Sequence, residues 1–91
     1  MEEKFLKAWE KAREEGKKLG VRFRPDTLSL TLAQRQLSGN RDSDGFGMLA
    51  QMGRLDLSLE ALVIHKAYTA LFTDEQANTA LMRLLDAGYM F

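Results

Sequence analysis

"RLDLSLEALVIHKAYTALF", residues 54–72, carries the fold. Ser58 can cap a helix by accepting an amide hydrogen bond, and from Leu59 to Phe72 apolar side chains would fall on most faces of that helix. Glu60, His65, Lys66 and Thr69 are left as a narrow polar strip. A helix so covered belongs at the centre of a bundle, so the spacing predicts a core helix over 59–72. "TDEQ", residues 73–76, is a capping box: Thr73 can accept the amide of Gln76 while the Gln76 side chain reaches back. It opens a last amphipathic helix that carries Ala77, Ala80, Leu81, Leu84 and Leu85, ends near Gly88 and leaves "YMF" as an apolar tail.

Toward the N-terminus, residues 2–19 read as a helix. Glu2 and Glu3 sit at the positive end of its dipole, Lys17 and Lys18 at the negative end, and Gly20 can take the left-handed cap. Phe5, Trp9, Ala12 and Leu19 form one thin apolar stripe, and Glu3 with Lys7 and Glu14 with Lys18 are i, i+4 pairs. "VRFRP", residues 21–25, alternates apolar and basic residues before a proline, which favours extended backbone. The stretch 26–39 admits two readings. Leu30, Ala33 and Leu37 have helical spacing, with Asp26 available as a cap and Gly39 as a stop, which favours a helix over 31–38. Leu28, Leu30 and Leu32 alternate as in a strand, which leaves a hairpin pairing 21–24 with 28–32. A further helix is expected from about Asp44 to Gln51 or Met52, ended by Gly53. The fold class that follows is all-α: one compact bundle of four to five helices, with a short extended segment or hairpin near 21–32 as the open point. Residues 1–20 would be a charged and peripheral N-terminal helix, and 26–91 the helical body.

The 91 residues suffice for one core, and 45% hydrophobic with 29% charged residues places the chain among globular sequences. Net charge is zero but unevenly spread. Residues 1–25 hold eight Lys and Arg against five Glu, and residues 26–91 hold five Lys and Arg against eight Asp and Glu. An acidic body argues against a DNA-binding core and leaves the basic N-terminal region as the candidate for phosphate contacts. Without cysteine there are no disulfides or thiolate metal sites. No apolar run approaches the roughly 20 residues that span a bilayer, and "MEEKFLKAWEK" has charges where a signal peptide needs its apolar stretch. A cytoplasmic location without membrane association is the expectation.

Candidate chemistry is sparse. "SGNRDSDGFGMLAQM", residues 38–52, begins like a calcium loop, with Asn40, Asp42, Asp44 and then Gly45. The pattern then breaks, because Gly47 stands where an apolar residue packs the loop and Gln51 where a bidentate carboxylate is needed. Asp42, Ser43 or Asp44 capping a helix is the simpler use of those residues. His65, the only histidine, has no carboxylate at i±3 or i±4 to orient it. Nucleophile, base and orienter never occur together, so no catalytic residue, metal ligand or cofactor is assigned.

"FTDEQANTALMRLLDAGYMF", residues 72–91, resembles the recognition helix and following strand of winged-helix DNA-binding domains. That resemblance would turn Thr73, Asp74, Glu75, Gln76 and Asn78 toward DNA, where Asp74 and Glu75 would repel phosphate. "LAQRQLSG", residues 32–39, is similar to the inhibitory segment of antitoxins that block Fic-type transferases, but Ser38 replaces their glutamate and no role is carried over.

What remains is partner binding, assigned to Phe5, Trp9, Arg22, Phe23 and Arg24, since aromatic and arginine side chains dominate interface hot spots. Packing of Trp9 on the body stands as the alternative. The reading is a non-enzymatic interaction protein that modulates a larger protein of unknown identity, of the inhibitor, antitoxin or phage and plasmid accessory type. The alternative is a small DNA-binding regulator using Lys4, Lys7, Lys11, Lys18, Arg22 and Arg24. Self-association is compatible with either.

Overall fold

The computed structural model describes residues 1–24 and 27–90, and these form a small all-α domain with five α-helices and no strand. Helix α1 spans Glu2–Lys18, α2 Leu30–Ser38, α3 Phe46–Gln51, α4 Leu59–Val63 and α5 Asp74–Asp86. Single 3₁₀ turns at Leu55–Leu57 and Thr69–Leu71 flank α4.

The helix ends follow sequence chemistry. Gln76 N–H donates to Thr73 Oγ1 at 3.1 Å and Thr73 N–H donates to Gln76 Oε1 at 3.0 Å, which completes the capping box of α5. Ser58 caps α4 through the Ala61 amide at 3.2 Å. At the other end of α5, Gly88 adopts φ 82°, so its own amide reaches Leu85 O and that of Tyr89 reaches Leu84 O, satisfying carbonyls the helix leaves open. The same closure ends α1 and α3.

For α2 the helical reading holds, beginning one residue early. Ser29 caps it by accepting the Leu32 amide at 3.1 Å. No hairpin forms among the described residues, where 21–24 are irregular and 30–32 already helical. Pro25 and Asp26, with the cap expected of Asp26, lie outside the described residues, as does Phe91. On α1, Glu3 pairs with Lys7 as expected, whereas Glu14 pairs with Lys17 and Glu15 with Lys18.

Four expectations are corrected. The core helix over 59–72 is broken: α4 stops at Val63, a turn follows through His65, and 3₁₀ geometry returns at Thr69. Thr69 Oγ1 donates to the carbonyls of Val63 and His65, at 3.2 and 2.8 Å, and His65 Nδ1 accepts the Ala67 amide at 3.1 Å, so side chains replace helical partners there. The break also lets residues on either side of it reach the core from different directions: Leu62, Ile64, Tyr68 and Leu71 all pack on it. Second, Glu60 is not on a solvated strip but wholly buried. Third, Leu81 and Leu85 of α5 are not covered, at 36% and 50% exposed, while Ala80 and Leu84, each one position before them, are buried.

The fourth concerns α1, which is no peripheral arm. Phe5 and Trp9 are 0% and 3% exposed and join Ala33, Leu37, Leu59, Val63, Phe72 and Ala80 in the main core. Phe5 meets Phe72 edge-on at 5.3 Å between ring centroids and Tyr68 at 5.7 Å, an arrangement that opposes positive ring edges to negative faces. Val21, Phe46, Leu49, Leu55 and Leu84 make a second cluster.

Candidate functional site

Two arginines, Arg13 buried and Arg83 mostly so, organise the loop 39–45 that joins α2 to α3. The first is Arg83, pointing from α5. Its Nη1 donates to Glu60 Oε2 at 3.0 Å and to Gln36 O at 3.1 Å, and its Nη2 donates to Gly39 O at 3.0 Å. The two carbonyls are among those left open at the C-terminal end of α2, where a cation is favoured by the helix dipole. Glu60 takes the remaining donors from the loop: Ser43 N–H at 3.1 Å on Oε2 and the Ser43 hydroxyl on Oε1. Charge and hydrogen bonding are thereby matched around a carboxylate with no exposed surface.

The second is Arg13 of α1, held between the Trp9 and Phe23 rings with its guanidinium carbon 5.2 and 4.9 Å from their centroids. Its Nη1 donates to Arg24 O at 3.2 Å, and its Nη2 lies 3.7 Å from Asp44 Oδ2. The same carboxylate oxygen accepts the Arg24 amide at 2.7 Å. Phe23 packs against Gly45, whose φ is 81° and where an added Cβ would come within 2.4 Å of the ring. Glycine is needed there on both counts.

Above this framework lies an open, polar concavity walled by Leu32, Arg35 and Gln36 of α2, by the loop 39–45, and by Arg24. Arg24, Arg35 and Arg41 are all exposed, and none makes an ion pair among the described residues. The two acids on the same wall diverge. Asp44 turns inward to Arg13, and Asp42 lies 3.9 Å from Arg83 Nε.

That divergence also settles the use of the calcium-like stretch in the fold: its carboxylates serve two separate arginines. They do not cap α3 either. Gly45 occupies the cap position without a side-chain bond, and Phe46 N–H is taken by Ser43 O at 3.1 Å. Among the described residues no group of three His, Cys, Asp or Glu is placed to share a metal ion, and His65 is exposed on its turn.

Of the residues expected at a partner interface, the structure separates two from three. Phe5 and Trp9 are core side chains, and a buried ring offers no contact surface to a partner. Arg22 and Arg24 are exposed and Phe23 half-buried. Sequence reasoning missed Arg35, Arg41, Arg83 and Glu60. A lone carboxylate inside the apolar run 59–64 was the available signal for a buried ion pair, since an unpaired one would be costly there.

No helix among the described residues is long and apolar enough to cross a membrane. The chain is a small all-α domain, and comparison with family models, curated proteins and solved structures finds no match to it.

Proposed function

We propose that this protein acts without catalysing a reaction, by binding and modulating a larger protein in the cytoplasm, as small inhibitors, antitoxins and phage or plasmid accessory factors do. The observation that supports this reading is the outer face of α5. Leu81, Met82 and Leu85 are 36%, 54% and 50% exposed on a helix anchored from behind by Ala80 and Leu84. Leu81 and Leu85 lie one turn apart in a single row, the pattern of a helix that lays apolar side chains into a partner's groove. Methionine beside them suits such a surface because its unbranched chain adapts to the shape it meets. Isolated exposed apolar residues need no explanation, but three within five positions of one helix do.

The test is capture from lysate at moderate salt by the wild type and by Leu81→Gln with Leu85→Gln, a change that keeps helix propensity. Loss of the captured protein with unchanged circular dichroism is the expected result. Capture indifferent to both substitutions would overturn the reading.

The exposure of Arg22, and of Arg24 in one concavity with Arg35 and Arg41, favours a second reading, a DNA-binding regulator. Counterion release makes phosphate contacts steeply salt-dependent. Binding to duplex DNA that collapses between low and moderate salt, with no protein captured, would favour it.

A further inference from the structure

Among the described residues, the concavity beside the loop 39–45 carries more positive charge than its own acids answer. Arg24, Arg35 and Arg41 line it from three separate segments of the chain. Asp44 is committed to Arg13 and to the Arg24 amide, and Asp42 leans toward Arg83. The walls are held against rearrangement from beneath, because Arg83 ties Gln36 O and Gly39 O to Glu60 while Glu60 holds Ser43. Three exposed arginines therefore line one open cleft whose loop is tied down from beneath. Each presents paired N–H donors at a spacing that matches a carboxylate or a phosphate.

We infer that this cleft binds a carboxylate-rich peptide segment of a protein partner, with Arg35, Arg41 and Arg24 receiving its acidic side chains. The inference rests on the protein-binding reading above and adds the chemistry of the partner. Mixed lining favours a peptide over nucleic acid. Asp42, whose side chain is 56% exposed, stands in the path of any ligand that fills the cleft. A continuous phosphate backbone would be repelled by it, whereas a peptide has discrete charges and can offer a backbone N–H at that point. The open form of the cleft also suits an extended segment better than an enclosed small molecule, for which most of the surface would need to be covered.

The experiment is selection of a displayed random-peptide library against the full chain, followed by affinity measurement of the enriched peptides and of a duplex DNA oligonucleotide. Peptides rich in Asp and Glu are expected. Their affinity should fall roughly ten-fold or more for Arg35→Gln with Arg41→Gln. It should not change for Arg54→Gln, since Arg54 pairs with Asp56 at 3.1 Å and lies outside the cleft. Arg35 and Arg41 are exposed and make no ion pair among the described residues, so their substitution leaves the fold in place. Absence of enrichment, enriched peptides without acids, or affinity indifferent to the two arginines would overturn the inference. DNA bound more tightly than the peptides through the same arginines would overturn it in favour of a phosphate ligand. If lysate capture depends on Leu81 and Leu85 while the peptides are not acidic, this inference alone falls. If capture is indifferent to that row as well, the protein-binding reading falls with it.

Discussion

Glu60 is the residue on which the local structure turns. A carboxylate removed from water costs several kcal/mol unless partners replace its hydration, and here Arg83 and both donors of Ser43 do so. Removing one partner of such a set leaves the others buried and unanswered, which typically costs about 3–5 kcal/mol. Glu60→Ala is therefore expected to destabilise the domain by about that amount in urea denaturation. Glu60→Gln, which keeps an acceptor and the side-chain volume, should cost less. If Glu60→Ala fell within about 0.5 kcal/mol of wild type, the range of neutral surface changes, the network would not be what fixes the loop. Position 60 alone hints at a buried carboxylate but not at the partners that answer it. Helical periodicity put Glu60 beside His65 and Lys66 on a polar strip, because periodicity describes one helix and cannot see an arginine arriving from another element.

Among the elements, α5 was the most legible and α4 the least. Capping boxes and terminal glycines act within a few residues, so their signals are local and survive folding. Thr73→Ala should cost about 1 kcal/mol through the lost cap, read as a lower denaturation midpoint with an unchanged slope. A silent Thr73→Ala would mean that packing alone holds the start of α5. The end of α4 was hidden for a different reason. Nothing between Leu59 and Phe72 forbids a helix, since there is no proline or glycine in the run. With the break in place Leu62, Tyr68 and Phe72 all reach the core, and Thr69 and His65 take up backbone groups that a continuous helix would have paired. The exposed row on α5 has a similar origin. Leu81 and Leu85 fit the apolar stripe, but the core is already filled behind Ala80 and Leu84, so the edge of the stripe stays outside.

At the scale of the whole molecule, α1 closes the core. Trp9→Ala should cost roughly 3–5 kcal/mol, the range for deleting a buried aromatic, and a domain of this size has only about 5–15 kcal/mol to lose. A fragment beginning at Gly20 is expected to lose near-ultraviolet dichroism, because it would lack Phe5 and Trp9 from the main core and uncover Phe72, which Phe5 meets edge-on. A cooperatively folded fragment, together with a mild Trp9→Ala, would return α1 to the periphery.

The amino-acid sequence by itself determined the helical class, the caps at Ser58 and Thr73, the closures at Gly20, Gly53 and Gly88, and the absence of a complete calcium loop. All of these depend on residues within one turn or one loop of each other. Only the tertiary structure decided that α1 is core, that residues 59–72 bend, and that Glu60 is buried. It also decided that Arg24, Arg35 and Arg41 share a cleft. Those outcomes depend on which surfaces meet once five short helices fill one volume, and residues 20 to 47 positions apart become neighbours there, as in the Arg24–Asp44 and Gln36–Arg83 bonds. Separation along the chain leaves no periodicity to read, so packing and charge pairing across elements settle them.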